Sequence, residues 1–229
     1  LIQKSQVLAS RAVATSAVRD AGNRNYFLEI MTPYFPGAID IIDGEEEACL
    51  TYQGVKHGLS LEQYPVVVDP GGGSTEIIFK QDNSIFIKSL PLGAVRASES
   101  QLSREAMLKL LEDGLGDIDR LRGHPLVLVG GTATSLAAMK MALIEYKPEI
   151  IHGQVLSFEE VSDLSRRLFS ISLEERKKIP GLQPERADII PQGSRIIELI
   201  MWLLSAQEMI VSESDLLDGI IWSLYYRNM

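Results

Sequence analysis

At 229 residues the chain is long enough for one large domain or two small ones, and a 45% share of hydrophobic residues suffices to build true cores. Acids outnumber bases by 31 to 22, a net charge of −9 that argues against broad electrostatic binding of nucleic acid or anionic lipid; an anion is held here only by local devices such as backbone amides, a bound cation or a few placed arginines. A single cysteine, Cys49, excludes an internal disulfide, and no apolar run approaches the roughly 20 residues of a membrane span, so no membrane helix and a cytoplasmic location are expected. Leu1 in place of a methionine, with no signal-like segment behind it, suggests a chain cut from a longer one.

Apolar periodicity alternates short β-type runs with longer amphipathic stretches. In chain order it predicts a strand over Arg11–Thr15, a helix over Arg24–Tyr34, a strand over Ala38–Ile42, a helix over Glu45–Gly58 and a strand over Pro65–Asp69. Strands over Thr75–Lys80 and Ser84–Leu90 flank the turn-prone Lys80–Ser84 and read as a hairpin. A helix over Arg104–Leu121, a strand over Pro125–Val129 and helices over Thr134–Tyr146, Phe158–Phe169 and Arg186–Ser205 follow, then a strand over Glu208–Val211 and a helix over Asp215–Arg227. Ser157 with Glu160, and Ser172 with Glu175, carry the capping-box spacing of helix starts. The class is α/β. The polar stretch before Pro65 sets domains at 1–64 and 65–229, with helix 215–227 packing back on the first. The long apolar helix Ile189–Leu204 exceeds what one core readily covers, which makes a homodimer plausible.

Three segments carry chemistry. In "VVDPGGGSTEIIF" (Val67–Phe79) the glycines let backbone amides approach a ligand closely, phosphate being the usual guest, although a plain hairpin turn reads equally well. Asp69 and Glu76 bracket the loop, and two carboxylates plus phosphate oxygens suit Mg²⁺. A second glycine loop, Gly130-Gly131-Thr132, runs from a strand into a helix whose orphan amides favour an anion. Neither loop has Walker or dinucleotide-fingerprint spacing. Asp43 is placed to cap a helix with Glu45 and Glu46 as helix-terminal charge; Glu47 lies one turn in, where a carboxylate can orient and deprotonate a water. Arg19 either forks onto phosphate oxygens or pairs with Asp20 or a nearby glutamate.

Taken in order, "VATSAVRDAGN", "IDIIDGEEEACLTYQGV", "VVVDPGGGSTEIIF…SLPLGAVR" and "LVGGTATSLAA" resemble the exopolyphosphatase and guanosine pentaphosphate phosphatase (Ppx/GppA) family, and "PGLQPERADII" and "VSESDLLDG" extend the likeness almost to the C-terminus. The resemblance implies an actin-like ATPase (ribonuclease H-like) fold of two domains with a central cleft, and Mg²⁺-dependent hydrolysis of terminal phosphoryl groups of polyphosphate or guanosine pentaphosphate. Carried over by position, Asp69 and Glu76 hold the metal, and the amides of Gly71, Gly72, Gly73 and Ser74 cradle phosphate. Glu47 activates water, Arg19 contacts the phosphate chain, and Gly130, Gly131 and Thr132 form the opposing loop.

Three departures stand out. No glycine-containing hairpin of the type Asp-x-Gly-Ser-Asn-Ser precedes Leu1, so the first domain is expected to lack its N-terminal hairpin. Pro70 removes an N–H where the family has another residue, so the cradle is expected to lose one donor. Glu213 and Ser214 replace a more usual pattern in a segment expected to pack helices. The rival reading is a sensor that binds such phosphates without hydrolysing them; a phosphotransferase would need an acceptor site that no feature specifies.

Overall fold

The computed structural model of the chain describes residues 7–19, 21–35, 37–82, 84–116 and 118–227. In chain order the elements are β1 (Ala12–Ala14), α1 (Ser16–Arg19), α2 (Arg24–Met31), β2 (Ile39–Ile41), α3 (Gly44–Gly58), β3 (Val66–Pro70), β4 (Thr75–Gln81), β5 (Ser84–Leu90), α4 (Ala94–Glu99) and α5 (Arg104–Leu115). They continue with β6 (Leu126–Leu128), α6 (Gly130–Lys140), α7 (Pro148–Ile151), β7 (Val155–Ser157), α8 (Phe158–Ser170), α9 (Leu173–Arg176), α10 (Ile190–Leu204), β8 (Glu208–Val211) and α11 (Leu216–Arg227). Residue contacts divide the chain into two units, Leu1–Gly54 with Asp215–Met229, and Val55–Ser214. The division falls within α3, ahead of the composition change at Pro65.

In the first unit β1 and β2 pair in parallel, Ala12 facing Ile39 and Ala14 facing Ile41, with α1 and α2 in the connection between them. Asp43 caps α3: its Oδ1 accepts the Glu46 N–H at 2.8 Å. Ile42, Leu50 and Ile220 form a small core with Val13 and Leu216, which sets α11 against α3. The two helix backbones touch, for a Cβ on Gly219 would lie 1.9 Å from the Leu50 carbonyl oxygen.

The second unit is built on a six-stranded sheet of order β5-β4-β3-β6-β8-β7. β3, β6 and β8 are parallel, β4 and β7 run against them, and β5, antiparallel to β4, points the same way as β3. Val66–Val68 and Leu126–Leu128 are buried on both faces, which is why these strands read as unbroken apolar runs instead of alternating ones. The predicted Thr75–Leu90 hairpin forms as β4 and β5. Both predicted capping boxes form, at Ser157 with Glu160 and at Ser172 with Glu175. A bond from Lys140, joined by the Ser157 N–H, holds the Glu160 carboxyl below its ordinary range.

Two helices stop earlier than the periodicity predicts, each at a left-handed residue. Gly116, at φ +64°, ends α5 at Leu115, and Ala142, at φ +49°, follows the end of α6 at Lys140. The apolar face of α10, read as surplus and as grounds for a homodimer, is covered by the chain itself: Ile196, Ile197, Leu199, Ile200, Met201 and Leu203 are buried among α8, α4, α6 and α5. That face therefore gives no ground for a dimer. Among the described residues no helix is long and apolar enough to cross a membrane.

Candidate active site

The antiparallel register sets Asp69 opposite Glu76 and Pro70 opposite Thr75. Facing residues share one side of a sheet, so the two carboxylates leave from the same face at the carboxyl end of β3, where parallel sheets bind ligands. The acids then diverge. Asp69 Oδ1 reaches the second glycine loop, 2.6 Å from where a Cβ on Gly130 would sit. Glu76 Oε1 accepts from Ser74 Oγ at 2.6 Å and from Ser89 Oγ at 2.9 Å, which fixes its rotamer.

Between the acids the loop is tied down by its carbonyls. The Gly71 oxygen accepts the Ala94 N–H at 2.9 Å, the Gly72 oxygen accepts those of Val95 and Arg96 at 2.9 and 3.0 Å, and the Gly73 oxygen accepts Arg96 Nε–H at 2.7 Å. These bonds also satisfy the orphan amides of α4. In a trans peptide the N–H points opposite to the C=O, so the amides of Gly72, Gly73 and Ser74 all face away from α4. Among the described residues they donate to no backbone carbonyl. The Gly71 N–H is different: it closes the turn on Ser74 O at 2.9 Å. Three amides, in place of the four expected, are thus turned outward.

Pro70 does not touch that set. In the β3–β6 ladder Val66 N–H donates to Pro125 O and Val129 N–H to Val68 O, so alternate residues of β3 face β6, and Pro70 is the next in that series. The missing N–H belongs to the sheet edge, at the last residue of the strand, and the expected loss of a cradle donor is corrected accordingly.

In the second loop the glycines are the first turn of α6 itself, so Gly130, Gly131 and Thr132 present helix-terminal amides. Gly130 has φ +80° beside the Asp69 carboxylate, which only glycine accommodates without strain. The Thr132 side chain is buried against α10, so this residue offers its backbone alone. Over Gly131 lies the Arg186 guanidinium: a Cβ there would meet Nη1 at 2.0 Å. Its Nε–H is anchored on Gln183 Oε1 at 3.2 Å. Gly131→Ala is thus expected to fold, because the end of a flexible side chain can swing aside, yet to raise KM for a phosphate substrate roughly 10- to 100-fold. Steady-state kinetics beside a thermal melt check this; an unchanged KM would deny Arg186 a part in binding.

In the first unit Glu47 and Arg19 are held together. Arg19 Nη1 donates to the Ile42 carbonyl at 2.9 Å and to Glu47 Oε2 at 3.2 Å. Of the alternatives weighed for Arg19, pairing with a nearby glutamate is what is seen, and Asp20 lies outside the described residues. Glu47 is half-buried, its N–H in the first turn of α3 on Asp43 O at 3.0 Å.

The sequence offers Arg186 only as the start of a helix and within a family-like stretch, not as a site residue, because its contact with Gly131 joins a short 3-10 turn, Pro184–Arg186, to a helix start distant in sequence. Tyr146 is a second omission. Its hydroxyl donates to Glu213, and burial, followed by that bond, pushes it up to about 12. The segment expected to pack helices does so, for a Cβ on Gly58 of α3 would meet Ser214 Oγ at 2.3 Å and one on Gly54 the Asp215 carbonyl at 2.0 Å; beside this, the Ser212 N–H bonds Leu128 O and Glu213 accepts from Tyr146. Elsewhere on the second unit Lys56 sits over the Tyr64 ring, Arg195 pairs with Glu198 and stacks on Phe169, and Arg96 is at the glycine loop.

This arrangement can be set beside known proteins. The sequence profile described as the Ppx/GppA phosphatase family matches residues 1–228. The chain belongs to the Ppx/GppA phosphatase family. It is similar to Exopolyphosphatase 2 of Mycobacterium tuberculosis, 31% identical over 236 residues that cover 93% of this chain and 74% of the relative. A bifunctional 3-dehydroquinate synthase/phosphatase of Fusobacterium nucleatum is 31% identical across 91% of this chain and 33% of its own length. Among solved structures, the Aquifex aeolicus Ppx/GppA member superposes with a TM-score of 0.87 at 28% identity, covering 99% of this chain and 77% of that one. An exopolyphosphatase of Cytophaga hutchinsonii superposes at 0.80 with 25% identity, over 97% and 77%. The fold is the actin-like ATPase fold of these proteins, and the Ppx/GppA chain is by family a phosphatase.

Proposed function

We propose that the protein hydrolyses the terminal phosphoanhydride bond of inorganic polyphosphate or of guanosine pentaphosphate and releases orthophosphate, with Mg²⁺ as cofactor. The observation that carries this reading is the row of outward amides at Gly72, Gly73 and Ser74 beside the facing acids Asp69 and Glu76. Such amides recognise a phosphate without net positive charge on the protein, as a chain of −9 requires.

The donor set fits Mg²⁺. Asp69 and Glu76 offer hard carboxylate oxygens from one face, and among the described residues no group of three or more acids, histidines or cysteines forms a protein cage. An ion that retains waters and takes substrate phosphate oxygens suits two acids. When bound it would supply charge neutralisation on the phosphoryl oxygens.

The rest is done by the chain. The amides orient the phosphate and offset charge that develops in the transition state, a contribution that needs no reorganisation because α4 already holds the loop. Arg186 and the α6 amides take further phosphate oxygens. Ser74 and Ser89 keep the Glu76 carboxylate aimed. Glu47 takes the proton of the attacking water as general base, with Arg19 restraining its rotamer.

Calorimetry and phosphate release, run on the full-length protein with polyphosphate and with guanosine pentaphosphate, test the assignment. Release from either substrate that stops on chelation of Mg²⁺ is expected. Tight binding without release would establish the sensor instead.

A further inference from the structure

We propose that Arg96 is a positioning residue for the phosphate-binding loop, holding the Gly73–Ser74 peptide so that the Ser74 amide faces the anion. The inference rests on the hydrolase reading above for its kinetic consequences, but not for its geometry.

Glycine permits a close approach of backbone to ligand and supplies no stiffness of its own, so a loop of three glycines must be held from outside to be preorganised. The clamp is α4. Gly93 lets it come close: a Cβ there would lie 2.4 Å from the Gly72 carbonyl. The Gly71 and Gly72 carbonyls are then held by backbone N–H groups of Ala94, Val95 and Arg96, a device any sequence able to form this turn can provide. The Gly73 carbonyl is held by a side chain, through Arg96 Nε–H at 2.7 Å. The peptide it fixes is the one whose N–H belongs to Ser74, the last amide of the cradle. Without that bond the Gly73–Ser74 plane is free to rotate, since Gly73 imposes no barrier. The guanidinium also lies over the same residue, with Nη2 3.8 Å from a Cβ position on Gly73.

Side-chain chemistry separates this role from that of a surface charge. Glutamine places an amide N–H donor the same number of bonds from the backbone as arginine Nε, without the charge. Lysine keeps the charge and puts a methylene where Nε–H stands. In the full-length protein Arg96→Gln should therefore retain kcat within about 3-fold, whereas Arg96→Lys and Arg96→Ala should lose about 10- to 100-fold, mostly in kcat, with melting temperatures close to that of the parent. Activity kept by lysine and lost by glutamine would overturn the clamp in favour of a charge, and equal activity in all three variants would overturn it outright. Should the parent protein release no phosphate, the hydrolase reading fails and the clamp is judged by calorimetry with tripolyphosphate. The affinities should then fall in the same order, and identical affinities would refute it.

Discussion

Glu47→Gln is expected to lower the turnover of phosphate substrates by roughly 10²- to 10⁴-fold while leaving KM within a few-fold of the parent value. The substitution keeps the shape of the side chain and removes the only lone pair basic enough to accept a proton from water at neutral pH. Its folding consequences should be small. Glu47 is partly exposed, its N–H and carbonyl remain in the α3 ladder and on Thr51, and Arg19 keeps its bond to the Ile42 carbonyl. Glu45→Gln is the control, since that neighbour is exposed in the first helical turn and should turn over normally. If Glu47→Gln hydrolysed substrate at a near-normal rate, the general base would have to be sought elsewhere.

Asp69→Ala is expected to weaken activation by Mg²⁺ by at least about 100-fold, because losing a partner one shell further out from a metal already costs about 10- to 100-fold in affinity. A Mg²⁺ titration of phosphate release reads this directly. The direction for Glu76→Ala is the same, with an added effect on Ser74 and Ser89, which would lose the carboxylate they hold. An activation curve for Asp69→Ala that overlays the parent curve would remove Asp69 from the metal. The paired test matters because the two acids leave the same face and then part, Asp69 towards Gly130 and Glu76 towards the serines.

Much of this was legible in the sequence, for reasons that can be stated. Val66–Val68 and Leu126–Leu128 are unbroken apolar runs ending at glycine loops, which made both legible as buried strands; that they pair directly, so that the two loops lie side by side instead of opposing each other, was not legible, because strand order is set by non-local pairing. Ser157 and Ser172 name their helices because a cap is a local device. What escaped is non-local. β7 is a three-residue edge strand too short to show a period, and α4 is a six-residue turn whose function is to hold a loop distant in sequence. Which amides of a glycine loop face outward is decided by what binds its carbonyls, here Ala94 to Arg96, and no spacing within "GGGS" reveals it. Pro70 illustrates the converse. A missing donor is easily counted in a sequence, but the strand's alternation decides whether the cradle or the ladder loses it.

The apolar run of α10 shows the same limit on a larger scale. Eleven of its residues are buried in its own unit, so a helix that reads as too apolar for one core is the core.

The most direct test of the account is to let the full-length protein act on polyphosphate, and separately on guanosine pentaphosphate, in ¹⁸O-labelled water with Mg²⁺, and to weigh the orthophosphate released. Water attack on the terminal phosphorus predicts one labelled oxygen in each orthophosphate, formed by the parent protein and suppressed in Glu47→Gln. Orthophosphate without the label, or none from either substrate while both still bind, would contradict it.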